Sequence, residues 1–88
     1  MKRYYIVYEG IVQGVGFRWR LMMHARRLGL TGWCRNLDNG NVECEIQGKD
    51  IDEFLKQTLK EDRFAKVYDY SIRQIPVKDH ERDFEVRF

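Results

Sequence analysis

The sequence predicts an α+β sandwich, with two helices on one face of a mainly antiparallel sheet, in the order β-α-β-β-α-β plus a short C-terminal strand. Three observations carry this. β-branched and aromatic runs alternate with two segments of helical period. The runs on the open-faced strands repeat every second residue. Gly, Asn-Gly or Pro stands at most of the junctions. At 88 residues the chain is expected to form one domain, 1–88. Such a domain buries roughly 60–65% of the surface its unfolded chain exposes.

Residues 3–8 (RYYIVY) predict the first strand, because branched and aromatic side chains suit a pleated, half-buried surface. Gly10, Gly14 and Gly16 then break the pattern into a loop. From Phe17 a helix is expected, with Phe17, Leu21, Ala25 and Leu28 on one face and Arg26 and Arg27 off it. Met22 and Met23 are expected to pack, and His24 to be partly buried at the edge of that face. Gly29 is a C-terminal stop.

Residues 31–36 predict the second strand, and Leu37-Asp38-Asn39-Gly40 the turn after it. Over 41–47, Val42, Cys44 and Ile46 face one way and Glu43, Glu45 and Gln47 the other, a half-buried third strand whose polar face accounts for its carboxylates. Asp50 with Glu53 resembles a capping box opening a second helix, which Ile51, Phe54, Leu55 and Leu59 carry to about residue 62. Residues 65–75 predict the fourth strand, with Tyr68, Tyr70 and Ile72 on one face, and Pro76 ends it. His80 falls in a charged, solvated turn. Phe84, Val86 and Phe88 alternate with Glu85 and Arg87 in a last strand. The whole pattern fits a ferredoxin-like sandwich, an architecture that hosts many chemistries and names none.

Composition narrows the field. A 43% hydrophobic share with five Phe, five Tyr and two Trp belongs to a folding chain. A net charge of +2, from 16 basic and 14 acidic residues, is too small for wrapping DNA but mildly favours an anionic ligand. The opening MKRYYIVYEG has no apolar core of a signal peptide, and no run reaches the ~20 apolar residues of a membrane helix. Cys34 and Cys44 are too few for a disulfide scaffold and wrongly spaced for zinc. Buried free thiols in a reducing, cytoplasmic setting are expected. No carboxylate cluster suggests a metal site.

The loop Gly10-Ile11-Val12-Gln13-Gly14-Val15-Gly16-Phe17-Arg18 is the strongest chemical signal. Its glycines let the backbone turn tightly and aim N–H groups inward, and the following helix adds partial positive charge. The planar fork of Arg18 can bind two phosphate oxygens. The loop is neither a dinucleotide fingerprint, since Trp19 stands where a third glycine belongs, nor a Walker loop, since Gly-Lys-Ser/Thr is missing. On glycine content alone, an ordinary strand-to-helix loop with a solvated arginine explains it equally well. Topology adds a second clue. A right-handed crossover makes the first two strands parallel, with the third between them, about 10 Å apart. Arg18 and Asn36 then share one end of the sheet, where the Asn36 amide can orient a water. Asn36 by itself is better explained as turn chemistry.

The two segments together resemble the acylphosphatase family. One family signature reads G-x-V-Q-G-V-x-F-R, which residues 10–18 match throughout. In the other, Gly32, Trp33, Arg35, Asn36, Gly40, Val42 and Gly48 hold the fixed places. The resemblance covers nearly the whole chain, and Leu28–Gly32 and Phe84-Glu85-Val86 share it. It departs at residues 61–67 (EDRFAKV), which lack the family's Gly-Pro-rich turn. It implies hydrolysis of an acyl phosphate by a monomer without metal or other cofactor. It also implies Arg18 and Asn36 as catalytic residues, and a phosphate cradle at Gly14, Val15, Gly16, Phe17 and Arg18. Inorganic phosphate is the implied product or inhibitor, with no nucleic-acid or membrane partner.

Two other functions compete with this one, nucleic-acid binding and ligand binding without turnover. Arg18, Arg20, Arg26 and Arg27 give the first helix a basic side, but the aromatic strand motif of RNA-recognition domains is absent. A binding module that kept the cradle without turnover is the second. The filled arginine and asparagine positions favour an enzyme over it.

Overall fold

In a computed structural model, residues 1–60 and 62–88 are described. The elements are β1 (Lys2–Ile11), α1 (Phe17–Arg27), β2 (Thr31–Asn36), β3 (Val42–Gly48), α2 (Ile51–Thr58), β4 (Lys66–Ile75) and β5 (Phe84–Arg87). The five strands lie in the order β4-β1-β3-β2-β5. β3 runs antiparallel to both β1 and β2, which are therefore parallel with β3 between them, as the crossover rule requires. β5 pairs parallel to β2.

Strand parity decides what is buried. Ile6 faces Cys44 and Tyr8 faces Val42 across β1 and β3, and Cys34 faces Cys44 across β2 and β3. All five are fully buried, against Phe17, Leu21 and Ala25 of α1 and Phe54 of α2. Burying one such Phe or Leu contributes about 1.5–3 kcal/mol. The Tyr8 hydroxyl is satisfied at 2.9 Å by Thr58 Oγ1, so the polar end of that side chain costs little.

The opposite face is polar but not uniformly wet. Arg3 is fully buried there, with Nε 2.8 Å from Glu45 and Nη1 2.7 Å from Glu81. Glu43, expected on a solvated face, is buried because Tyr5 and Arg35 both donate to its carboxylate.

Other expectations need correction. Met23 is exposed, whereas Met22 packs as expected. α2 ends at Thr58 rather than near 62, and residue 61 lies outside the described residues. Arg20 braces this end: its Nη2 donates to the carbonyls of Thr58 and Lys60 at 3.1 Å each while Nη1 binds Asp62 at 2.7 Å. These bonds occupy carbonyls that a further helical turn would use. No side chain caps the start of α2, so the Asp50 capping box does not form; Asp50 sits at φ −94°, ψ 48°, away from extended cap geometry. β4 forms as expected, but Tyr68, Tyr70 and Ile72 stay exposed, because the helices pack over β2, β3 and β5.

Candidate active site

The loop between β1 and α1 turns through Gly14 and Gly16, at φ 73° and 77°. This left-handed conformation favours glycine. A Cβ at either position would meet nothing within 4 Å. Backbone conformation, not crowding, therefore selects glycine, and both positions are exposed. Gly16 caps α1 without a side-chain cap hydrogen bond, and the first turn holds no acid. The first-turn amides and the helix dipole leave partial positive charge at the mouth of the loop. Phe17 fixes the helix start by packing edge-on against Tyr8, with ring centroids 5.0 Å apart.

Arg18 leans out of this turn toward β5. Its Nη1 donates to the Arg87 carbonyl at 2.9 Å, and its guanidinium carbon lies 4.9 Å from the Phe88 ring centroid. Among the described residues no carboxylate pairs with it, whereas Arg20, Arg26 and Arg35 are taken by Asp62, Asp83 and Glu43. Arg18 thus keeps its charge for another anion.

Asn36 ends β2 opposite Val42. Its Oδ1 is buried and without a hydrogen-bond partner among the described residues. Arg18, Gly14 and Gly16 line one hollow, of about 360 Å³. Asn36 lines a neighbouring one with Arg35, Leu37 and Asp38. Phe88 borders both. The arginine and the asparagine therefore share a corner of the sheet with Phe88 between their hollows. Val15, half-buried, packs on the core beneath the turn.

One side chain joins the two parts. Gln13 Nε2 donates to the carbonyls of Leu37 at 2.7 Å and Asn41 at 2.8 Å. It ties the glycine loop to the hairpin that follows Asn36. Its signal was present in the sequence, a glutamine inside the loop motif, but spacing alone gave it no role. Phe88, expected as the last alternating residue of the final strand, lies just beyond β5 and is almost fully exposed; it reaches the site through the pairing of β5 with β2.

The remaining candidates stand apart. His24 is half-buried on α1; burial and the nearby Arg27, Arg20 and Lys60 cations hold it below the ordinary 6.5, so it is neutral at pH 7. Burial pushes the Cys34 thiol up to about 12, against the opposing influence of Arg18, which leaves no thiolate for nucleophilic work. Among the described residues no three His, Cys, Asp or Glu side chains gather to hold a metal ion, and no helix is long and apolar enough to cross a membrane.

The family model described as Acylphosphatase matches residues 4–86. The chain belongs to the acylphosphatase family. An acylphosphatase of Clostridium beijerinckii is 44% identical over 90 residues, covering 100% of both chains. The crystal structure of the acylphosphatase from Bacillus subtilis superposes with a TM-score of 0.93 at 32% identity, covering 100% of both chains. The structure of an acylphosphatase from Coxiella burnetii gives 0.88 at 33% identity, covering 98% of this chain and 92% of the other. Like these acylphosphatases the chain is a hydrolase, and family and fold support acyl phosphates as what it hydrolyses.

Proposed function

We propose that the protein cleaves the carboxyl–phosphate bond of R–CO–O–PO₃²⁻, giving a carboxylate and inorganic phosphate. Arg18 and the amides of Gly14, Val15, Gly16, Phe17 and Arg18 hold the phosphoryl group, and Asn36 orients the attacking water. The observation that carries this reading is the exposed turn at Gly14 and Gly16, leading into a helix start without a side-chain cap, beside an arginine without a carboxylate partner among the described residues.

The chemistry follows from the charges. Water attacks phosphorus as the P–O bond to the acyl group breaks, and the carboxylate leaves with the electron pair. A carboxylate is a weak base, so no general acid is required. The water proton passes to a phosphoryl oxygen. Arg18 swings from the Arg87 carbonyl onto the phosphoryl oxygens and, with the loop amides, stabilises the charge spread over them in the transition state. The unpartnered Asn36 Oδ1 accepts a hydrogen bond from the water and aligns it with the scissile bond. Arginine and amides supply the positive charge, so the reaction is metal-independent and free of cofactors. Two buried free thiols fit a reducing compartment, and the reading extends to a monomeric, single-domain cytoplasmic enzyme that inorganic phosphate inhibits.

The test is benzoyl phosphate hydrolysis in the presence of a chelator, wild type beside Arg18→Gln. Fast turnover that collapses in the variant is expected. Turnover lost to the chelator removes metal independence. The second reading, a phosphate-binding module, is favoured by one observation: Asn36 lines the neighbouring hollow rather than that of Arg18. Phosphate binding by folded wild type without turnover selects it.

A further inference from the structure

β4 is an edge strand ten residues long, and among the described residues only β1 pairs with it. Its other side carries unpaired backbone groups, and the ladder shows which residues hold them. The Gly32 N–H goes to the Asp83 carbonyl, on the β5 side of β2, so the odd-numbered residues of β2 bond β3. Alternation carried through the Trp33–Glu45, Ile6–Cys44 and Tyr5–Arg73 pairs leaves Tyr70, Ile72 and Gln74 facing outward. The Tyr70 N–H fits this, since it donates sideways to Asp69 Oδ1 at 2.8 Å. Such an edge is a template for a further strand unless proline or a bulge blunts it. From Asp69 to Ile75 there is no proline, and the register with β1 does not shift.

This edge is complementary to itself. When two β4 strands are set antiparallel about Ser71, Asp69 of each copy stands opposite Arg73 of the other, and Tyr70 opposite Ile72. Asp69 and Arg73 then fall at non-hydrogen-bonded places, where side chains come closest, while Tyr70 and Ile72 exchange their outward N–H and C=O groups. Centring the pair on Asp69 sets two carboxylates against each other, and centring it on Arg73 sets two guanidinium groups. Centres at Tyr70 or Ile72 leave both charges without partners. Charge therefore singles out one register.

We propose that two copies of this chain associate through their β4 edges, antiparallel about Ser71, into one continuous sheet. Asp69 exchanges its bond to the Tyr70 N–H for Arg73 of the second copy, and the Ile72 carbonyl of that copy takes the N–H. On the helix side Tyr68, Tyr70 and Ile72, exposed in the single chain, cover their counterparts across the two-fold axis. Arg18 bonds β5 at the opposite edge of the sheet, so each copy keeps its site and the single chain remains the catalytic unit. One strand edge is a small interface of the weak, transient class, so chains are single when dilute and paired when concentrated.

Sedimentation equilibrium is the measurement, from about 10 µM to about 1 mM, the span of a weak interface. Wild type is expected to rise from the mass of one chain toward that of two. Asp69→Arg and Arg73→Asp each set like charges opposite one another twice, and each is expected to weaken association roughly tenfold. Mixed in equal amounts, the two variants are expected to pair with each other, because the mixed pair again has opposite charges at both places. That mixture also answers misfolding, since a chain that failed to fold is not rescued by its counterpart. Wild type that stays single at the highest concentration overturns the proposal. A pair that neither variant weakens overturns it, and so does a mixture that stays single. Amide hydrogen exchange locates the contact: the Tyr70 and Ile72 N–H groups are expected to slow as the mass doubles, and unchanged exchange there overturns the edge assignment.

Discussion

Asn36 presents a buried acceptor with no partner among the described residues. Such a group costs about 1–3 kcal/mol unless a donor reaches it. In the proposed reaction the donor is the attacking water. Asn36→Ala is accordingly expected to lower kcat by about 10²–10³ while inorganic phosphate binds as in wild type. Titration with phosphate alongside steady-state kinetics checks both halves, and near-normal kcat removes Asn36 from the mechanism. The sequence made Arg18 and Asn36 legible as candidates because both stand at fixed places in long motifs. It also made the two thiols legible as packing groups. What it left open was their register, and they prove to be directly opposite, both buried. The hollow that Trp19 and Phe88 border with Arg18 stayed hidden, since no local pattern betrays residues brought together from distant parts of the chain.

At the scale of elements, alternation and helical period sufficed for the order of elements, and the crossover rule for β3 between β1 and β2, whereas the partners of β4 and β5 are set by packing at a distance. Element ends were less legible. α2 stops at Thr58, whose carbonyl accepts from Arg20, 38 residues away in sequence on another helix. No local pattern encodes that. The Gln13 bridge is the same kind of fact and it has a function: a single amide holds the cradle loop to the Asn36 hairpin. Gln13→Ala is expected to cost about 1–2 kcal/mol of stability, the worth of two neutral hydrogen bonds. It is also expected to lower kcat more than it weakens phosphate binding, because the loop keeps its amides while the hairpin loses its tether. Urea unfolding and phosphate inhibition measured on the same preparation decide this. Equal losses in both kinetic quantities assign Gln13 to the cradle alone.

For the molecule as a whole, the buried Arg3 is the main electrostatic commitment. Burial by itself would raise the Glu81 carboxyl, but hydrogen bonds from Arg3 and Thr31 and the Arg3 charge outweigh it and hold it below 4.5. The folded value lies below the unfolded one, so the stabilisation is present above about pH 4.5 and is lost as pH falls through the lowered value. Glu81→Gln is expected to lose about 1–3 kcal/mol at pH 7, since Glu45 and Gln47 still bind Arg3. The gap to wild type is expected to narrow at pH 3; thermal melts at the two values measure it, and a constant gap shows that charge is not the source. The fold places its proposed chemistry on rigid ground but under no roof. Gly14, Gly16 and Trp19 are exposed, and Arg18 is only half-covered. A phosphoryl group seated there stands in the solvent that would attack it. Enzymes that hand such a group to an alcohol or an amine must first shut the commonest competing nucleophile out. This shape cannot keep that competitor away, so it commits the bond energy of its substrate to heat rather than to synthesis.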